Sequence, residues 1–70
     1  MYEYGRHARY QMRERAITRA EIEACLEAHD IRYTDKKGNP VYKAELETGR
    51  GIKVVVAQDD PHFIITVADY

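Results

Sequence analysis

Tryptophan is missing from this 70-residue chain, phenylalanine occurs once and cysteine once. With Cys25 as its only thiol, the chain closes no internal disulfide and builds no Cys-rich zinc site. That scarcity fits a reducing compartment. No run approaches the roughly 20 apolar residues that a membrane span requires. The start, with Glu3 and Arg6 set among tyrosines, lacks the apolar stretch of a signal peptide. The chain therefore reads as a soluble, cytoplasmic protein with no membrane partner. His7, Cys25, His29 and His62 are not spaced as a chelating pair of the C-x-x-C or H-x-x-x-H kind, so neither metal nor cofactor is expected. Also absent are a glycine-rich phosphate loop, a G-x-S-x-G elbow and a cysteine nucleophile with its own histidine.

The length supports a single domain over residues 1–70, because a chain this short buries only about 60% of its unfolded surface. No repeat, low-complexity tract or linker divides it. The net charge of -1 argues against strong general attraction to nucleic acid, which depends on counterion release at Lys and Arg. The charges are nevertheless segregated. Residues 1–20 hold five arginines against two glutamates, and residues 31–53 hold six basic against three acidic side chains. The intervening Glu21, Glu23, Glu27 and Asp30, with Asp59, Asp60 and Asp69 near the end, balance them. A basic face results if the two basic segments adjoin in space.

Tyr4, Ala8 and Met12 recur at helical spacing, so a first helix is expected over about residues 5–15, with that stripe on the core. Thr18 and Glu21 form a capping box that starts a second helix near Arg19. Its apolar face is Ile22, Cys25 and Leu26, with His29 suited to the dipole at its C-terminal end. The period then changes to two. Strands are expected at Ile31 to Thr34, Val41 to Glu47, Ile52 to Ala57 and His62 to Ala68, separated by turns at residues 35–40, 48–51 and 58–61. On the last strand Phe63, Ile65 and Val67 are assigned to the core, and His62, Ile64 and Thr66 to the opposite face. The expected fold is α+β: two N-terminal helices on one face of a four-stranded antiparallel meander. The other face, with Lys43, Lys53, Val55, Ile64 and Thr66, is too apolar for a plain solvent surface and is where a site would lie.

His7, beside the core stripe, is a candidate acid or base, although a surface or structural histidine is the commoner case. Lys43, Lys53 and Thr66 on the open face would suit a phosphodiester, with cations to stabilise charge and a hydroxyl to fix the substrate. Threonine in a strand is also explained by propensity alone. Arg15 is a candidate phosphate ligand, although capping of last-turn carbonyls and plain solvated charge together outweigh that reading. The six tyrosines are many for this size. Where exposed, they stack on bases or serve a protein interface.

The run His7-Ala8, Met12, Arg15, Ile17-Thr18, followed by a charged hairpin, Lys53-Val54-Val55-Val56 and Ile64-Ile65-Thr66-Val67, resembles the bacterial domain-of-unknown-function family 4258. Members typically open H-A-x-x-R-M-x-x-R-G-[IV]-[ST]. That family looks like the RelE/ParE toxins and the wider barnase-like, EndoU-like and colicin-like ribonucleases. The resemblance implies a toxin-like RNA-binding domain, with metal-independent endoribonuclease activity on the open sheet face. It makes His7 the acid or base, Arg15 and Lys53 the phosphate clamps, Thr66 the late-strand hydroxyl and Tyr70 a further stacking or acid/base group. Lys43 on the open face, Arg50 at the hairpin tip and Tyr70 are the candidate substrate contacts. It also implies a cognate antitoxin or immunity protein, and a monomer or homodimer. The rival class is a non-catalytic protein-interaction module of a mobile element or phage. Two departures stand out: Gln11 occupies a usually basic position, and Ala16 a usual glycine, where left-handed geometry would cost about 1 kcal/mol or more.

Overall fold

The computed structural model describes residues 1–70. In chain order the elements are β1 (Glu3–Tyr4), α1 (Arg6–Arg15), α2 (Arg19–Glu27), β2 (Ile31–Thr34), β3 (Pro40–Glu45), β4 (Gly51–Ala57) and β5 (Asp60–Asp69). The class is α+β, as expected. The sheet, however, is five-stranded and mixed, in the order β1-β5-β4-β3-β2. Strands β2 to β5 form the antiparallel meander, and β1 adds to its edge parallel to β5, with Glu3 opposite Phe63 and Tyr4 opposite Ile64. The four-stranded, wholly antiparallel expectation is corrected on this point. A two-residue strand is too short for period-two alternation to reveal it.

Both helices lie on one face of the sheet. Ala8 of α1, Ile17 of the connection and Ile22 and Cys25 of α2 close over Ala44, Ile52, Val54, Val56, Ile64 and Val67. Full burial of a Val or Ile side chain contributes roughly 1.5–3 kcal/mol, so this one cluster carries most of the driving force. Tyr4, Met12 and Leu26 seal its margin. Cys25 is part of this packing: its Sγ lies 3.6 Å from the Tyr42 carbonyl and 3.5 Å from that of Ile52. Burial first, and the Asp30 charge second, push the thiol up to about 11, so it stays protonated at neutral pH.

The alternation on β5 is broken by a bulge. Val55 faces Thr66 but Val56 faces Ile64, which leaves Ile65 as the extra residue. Ile64 and Val67 therefore both enter the core, while Ile65 and Thr66 stand on the opposite face beside Val55. The assignments of Ile64 outward and Ile65 inward are reversed by that single insertion. Phe63 closes over Gly5 instead of entering the core cluster; a Cβ on Gly5 would lie 3.2 Å from the ring's Cζ.

The two sheet edges are finished differently. Beyond β1, the Gly5 amide donates to the Ile64 carbonyl at 2.9 Å, and α1 then runs beside β5. There the Gln11 Oε1 accepts from the Val67 amide at 3.0 Å and stands in for a missing strand. A basic side chain at position 11 has no acceptor to offer that amide, so the departure at Gln11 has a structural use. At the other edge, all four residues of β2 are exposed and no element covers them.

Candidate functional site

Strand register builds the open face in rows. Tyr33, Val41, Val55 and Thr66 form one row across β2, β3, β4 and β5, and Ile31, Lys43, Lys53 and Ala68 form the next. A third row is Glu45 and Gly51, continued by Tyr70, whose amide donates to the Gly51 carbonyl at 3.1 Å. Val41 is 2% and Val55 8% exposed, so this face has its own apolar floor outside the main core. Ile31 at 49%, Tyr33 at 42% and Tyr70 at 55% rise from it into solvent.

Lys43 is the centre of this surface. Its Nζ lies 5.4 Å from the Tyr33 ring centroid and 5.3 Å from that of Tyr70, cation–π contacts with both. Gly51 makes the second contact accessible: a Cβ there would meet the Tyr70 ring at 3.2 Å and its carbonyl oxygen at 2.6 Å. Lys53 is directly opposite Lys43 on the neighbouring strand. The ion pairs of the chain are those of Arg50 with Glu21 and Asp69, so neither lysine has a carboxylate partner. Like charges in register cost stability unless an anion is shared between them. Farther along, Lys36 and Lys37 of the β2–β3 turn flank a cleft with Asp35, Asn39, Val55, Ile65 and Thr66. Asp35 is committed to that turn, its Oδ1 accepting from the amides of Lys37 at 2.9 Å and Asn39 at 2.8 Å.

His7 and Arg15 lie elsewhere. Both are exposed on α1 and line a shallow cleft with Tyr10, Gln11 and Glu14. Eight residues of helix separate them, about 12 Å along the axis, so only the reach of the arginine brings both to one phosphate. No cleft of the molecule is lined by His7 together with Lys53 or Thr66. The four residues named for catalysis thus divide into a pair on α1 and a pair on the open face. Lys43 and Tyr70, named as substrate contacts, join the second pair.

Arg50 is engaged inside the protein. Its Nε donates to Asp69 Oδ1 at 2.8 Å, its Nη1 to the Ala16 carbonyl at 2.9 Å and to Glu21 at 3.2 Å, and its Nη2 to the Arg15 carbonyl. These bonds occupy four of the five guanidinium donors, leaving little for a substrate. The same contacts explain how Ala16 keeps the geometry of a glycine. Ala16 is left-handed at φ 53°, with Ile17 and Ala16 amides returning to the Met12 and Arg13 carbonyls in a Schellman end. Arg50 then holds the carbonyls that follow. The Arg50 guanidinium lowers the pKa of Asp69, chiefly by hydrogen bonding. Glu21 is lowered first by its bond from the Thr18 amide and then by Arg50. His29, as expected, sits at the end of α2, its Nδ1 3.2 Å from the Leu26 carbonyl.

Tyr33, Ile31, Lys36 and Lys37 belong to the surface but were not singled out from the sequence. Period-two spacing places Ile31 and Tyr33 on one side of β2, but only the pairing with β3 decides which side. What the geometry defines is a small α+β domain with a helix-covered core and an open face of tyrosine and unpaired lysine. The family model described as "Domain of unknown function (DUF4258)" matches residues 4–69, and the chain belongs to that family. No curated protein and no solved structure matches the chain. No helix is long and apolar enough to cross a membrane.

Proposed function

We propose that this domain binds RNA on the open face of its sheet, as a toxin-like module of the cytoplasm. The observation that carries the proposal is the facing pair Lys43 and Lys53, neither of them in an ion pair, with tyrosine rings on both sides of Lys43. Such a surface offers a phosphate two cations, and offers bases two aromatic planes. The test is electrophoretic mobility shift of mixed-sequence RNA at low salt. Binding is expected, weakening steeply with added salt, and the Lys43→Ala/Lys53→Ala double variant should bind far less. Equal binding by parent and variant would place the contact elsewhere.

Cleavage has weaker support than binding, because His7 and Arg15 share no cleft with Lys53 and Thr66. RNA incubated with the protein in EDTA should stay intact. Cleavage by the parent that disappears in His7→Ala would establish the endoribonuclease activity.

A specific observation also favours a protein partner, the antitoxin or immunity protein of a toxin-like system. Strand β2 leaves one edge unpaired and exposed, with Ile31 and Tyr33 beside it, so an extended segment can add there as a sixth strand. Such a partner would lie across Tyr33 and compete with RNA. A strand peptide that binds without displacing RNA would separate the two sites.

A further inference from the structure

We infer that the open face selects unpaired, extended polynucleotide, with two bases stacked on Tyr33 and Tyr70 and the intervening phosphate held at Lys43. This rests on the RNA-binding function proposed above and narrows its ligand class. Both tyrosines are large, exposed aromatics, while Val41 and Val55, in the row of Tyr33, are buried. The rings therefore stand out from the sheet into solvent, where a base can stack on them.

The two ring contacts cap the length of strand between the tyrosines. The two contacts to Lys43 Nζ, 5.4 and 5.3 Å, keep the ring centroids within about 11 Å of each other, roughly three times the ~3.4 Å step of stacked bases. One to three nucleotide steps cross that gap, and the phosphates between pass the Lys43 ammonium. Lys53, in register with Lys43, meets the same or the next phosphate.

Duplex is disfavoured for two reasons. Its bases are stacked on each other and present edges and backbone, not faces, so Tyr33 and Tyr70 gain nothing from it. Its denser phosphate charge calls for a broad basic surface, whereas this face has Lys36, Lys37, Lys43 and Lys53 with Glu45 at its border. Recognition through aromatic planes is tolerant of sequence, because every base has a π-face.

The experiment is fluorescence anisotropy with labelled oligouridylate of about a dozen nucleotides, compared with a fully paired A·U duplex of equal length. Single strand should bind at least tenfold tighter. Tyr33→Ala and Tyr70→Ala should each weaken single-strand binding by roughly five-fold to a hundred-fold, and Tyr33→Phe and Tyr70→Phe should rescue it, since stacking uses the ring and not the hydroxyl. Tyr10→Ala, on α1, should leave affinity unchanged, and circular dichroism should show every variant folded. Equal affinity for duplex and single strand, with the lysine variants still defective, would overturn this inference and leave RNA binding standing. Failure of both probes to bind would overturn both. Phe variants as defective as the Ala variants would overturn the stacking role.

Discussion

Lys43 and Lys53 face each other directly across β3 and β4, and neither has a carboxylate to answer its charge. Asp30 Oδ2 accepts from the Glu45 amide at 2.9 Å, Asp35 holds its turn, and Glu45, one row along from Lys43, forms no ion pair with it. A cation pair kept in register without a counter-charge weakens the free fold and favours a bound anion.

Lys53→Thr should therefore move stability and binding in opposite directions. Removing the repulsion and adding a β-branched strand residue should stabilise the fold by about 0.2–1 kcal/mol, seen as a higher urea midpoint at unchanged slope. RNA affinity in the same buffer should fall severalfold. A loss of both would mean that Lys53 serves packing.

Ala16 holds a left-handed conformation that glycine adopts without a Cβ penalty. Ala16→Gly should raise stability by about 0.5–1 kcal/mol after the greater entropy of glycine in the unfolded chain is set against the relief of strain. Urea titration measures this. A lower midpoint would show that Arg50 has already removed the strain.

Arg50 joins the end of α1, the start of α2 and the end of β5 through four donors. Arg50→Ala should lower the urea midpoint near neutral pH. Asp69 and Glu21 have folded pKa values below their unfolded ones. Their contribution is therefore present above the ordinary carboxylate range near 4 and is lost as pH falls through the folded values. The parent should lose stability on going from about pH 6 to about pH 3, and the gap between parent and Arg50→Ala should narrow. A gap that widens in acid would contradict the clamp.

Gln11 supplies the acceptor for the Val67 amide at the partly buried edge of β5. Gln11→Leu fills similar space but leaves that amide unpaired, a cost of about 1–3 kcal/mol. Hydrogen exchange at Val67 should accelerate well beyond that of Val54, its neighbour on β4. Uniform acceleration across the sheet would indicate global destabilisation alone.

The features legible in the sequence were those set by local period. Ala8 and Met12 marked α1, although Tyr4, counted in the same stripe, belongs to β1, and the Thr18–Glu21 box closes as expected, with bonds of 3.1 and 2.9 Å. The outward placement of Lys43, Lys53 and Thr66 also followed from alternation. What was not legible depends on distant partners or a single inserted residue. The apolar run Phe63-Ile64-Ile65 fits either strand phase, so the bulge at Ile65 leaves no trace in composition. β1 has meaning only against Phe63 and Ile64, far along the chain. Arg50 looked free at its hairpin tip because its acceptors on Arg15, Ala16 and Glu21 are remote in sequence. Tyr33 gained its place beside Lys43 only through the register of β2 on β3.

The most direct test of the central claim is amide chemical-shift mapping during titration of the labelled protein with unpaired RNA. Shifts should concentrate at Tyr33, Lys43, Lys53, Thr66 and Tyr70 and leave His7, Tyr10, Glu14 and Arg15 still. Shifts confined to the α1 residues, or none on the open face at saturating RNA, would contradict it.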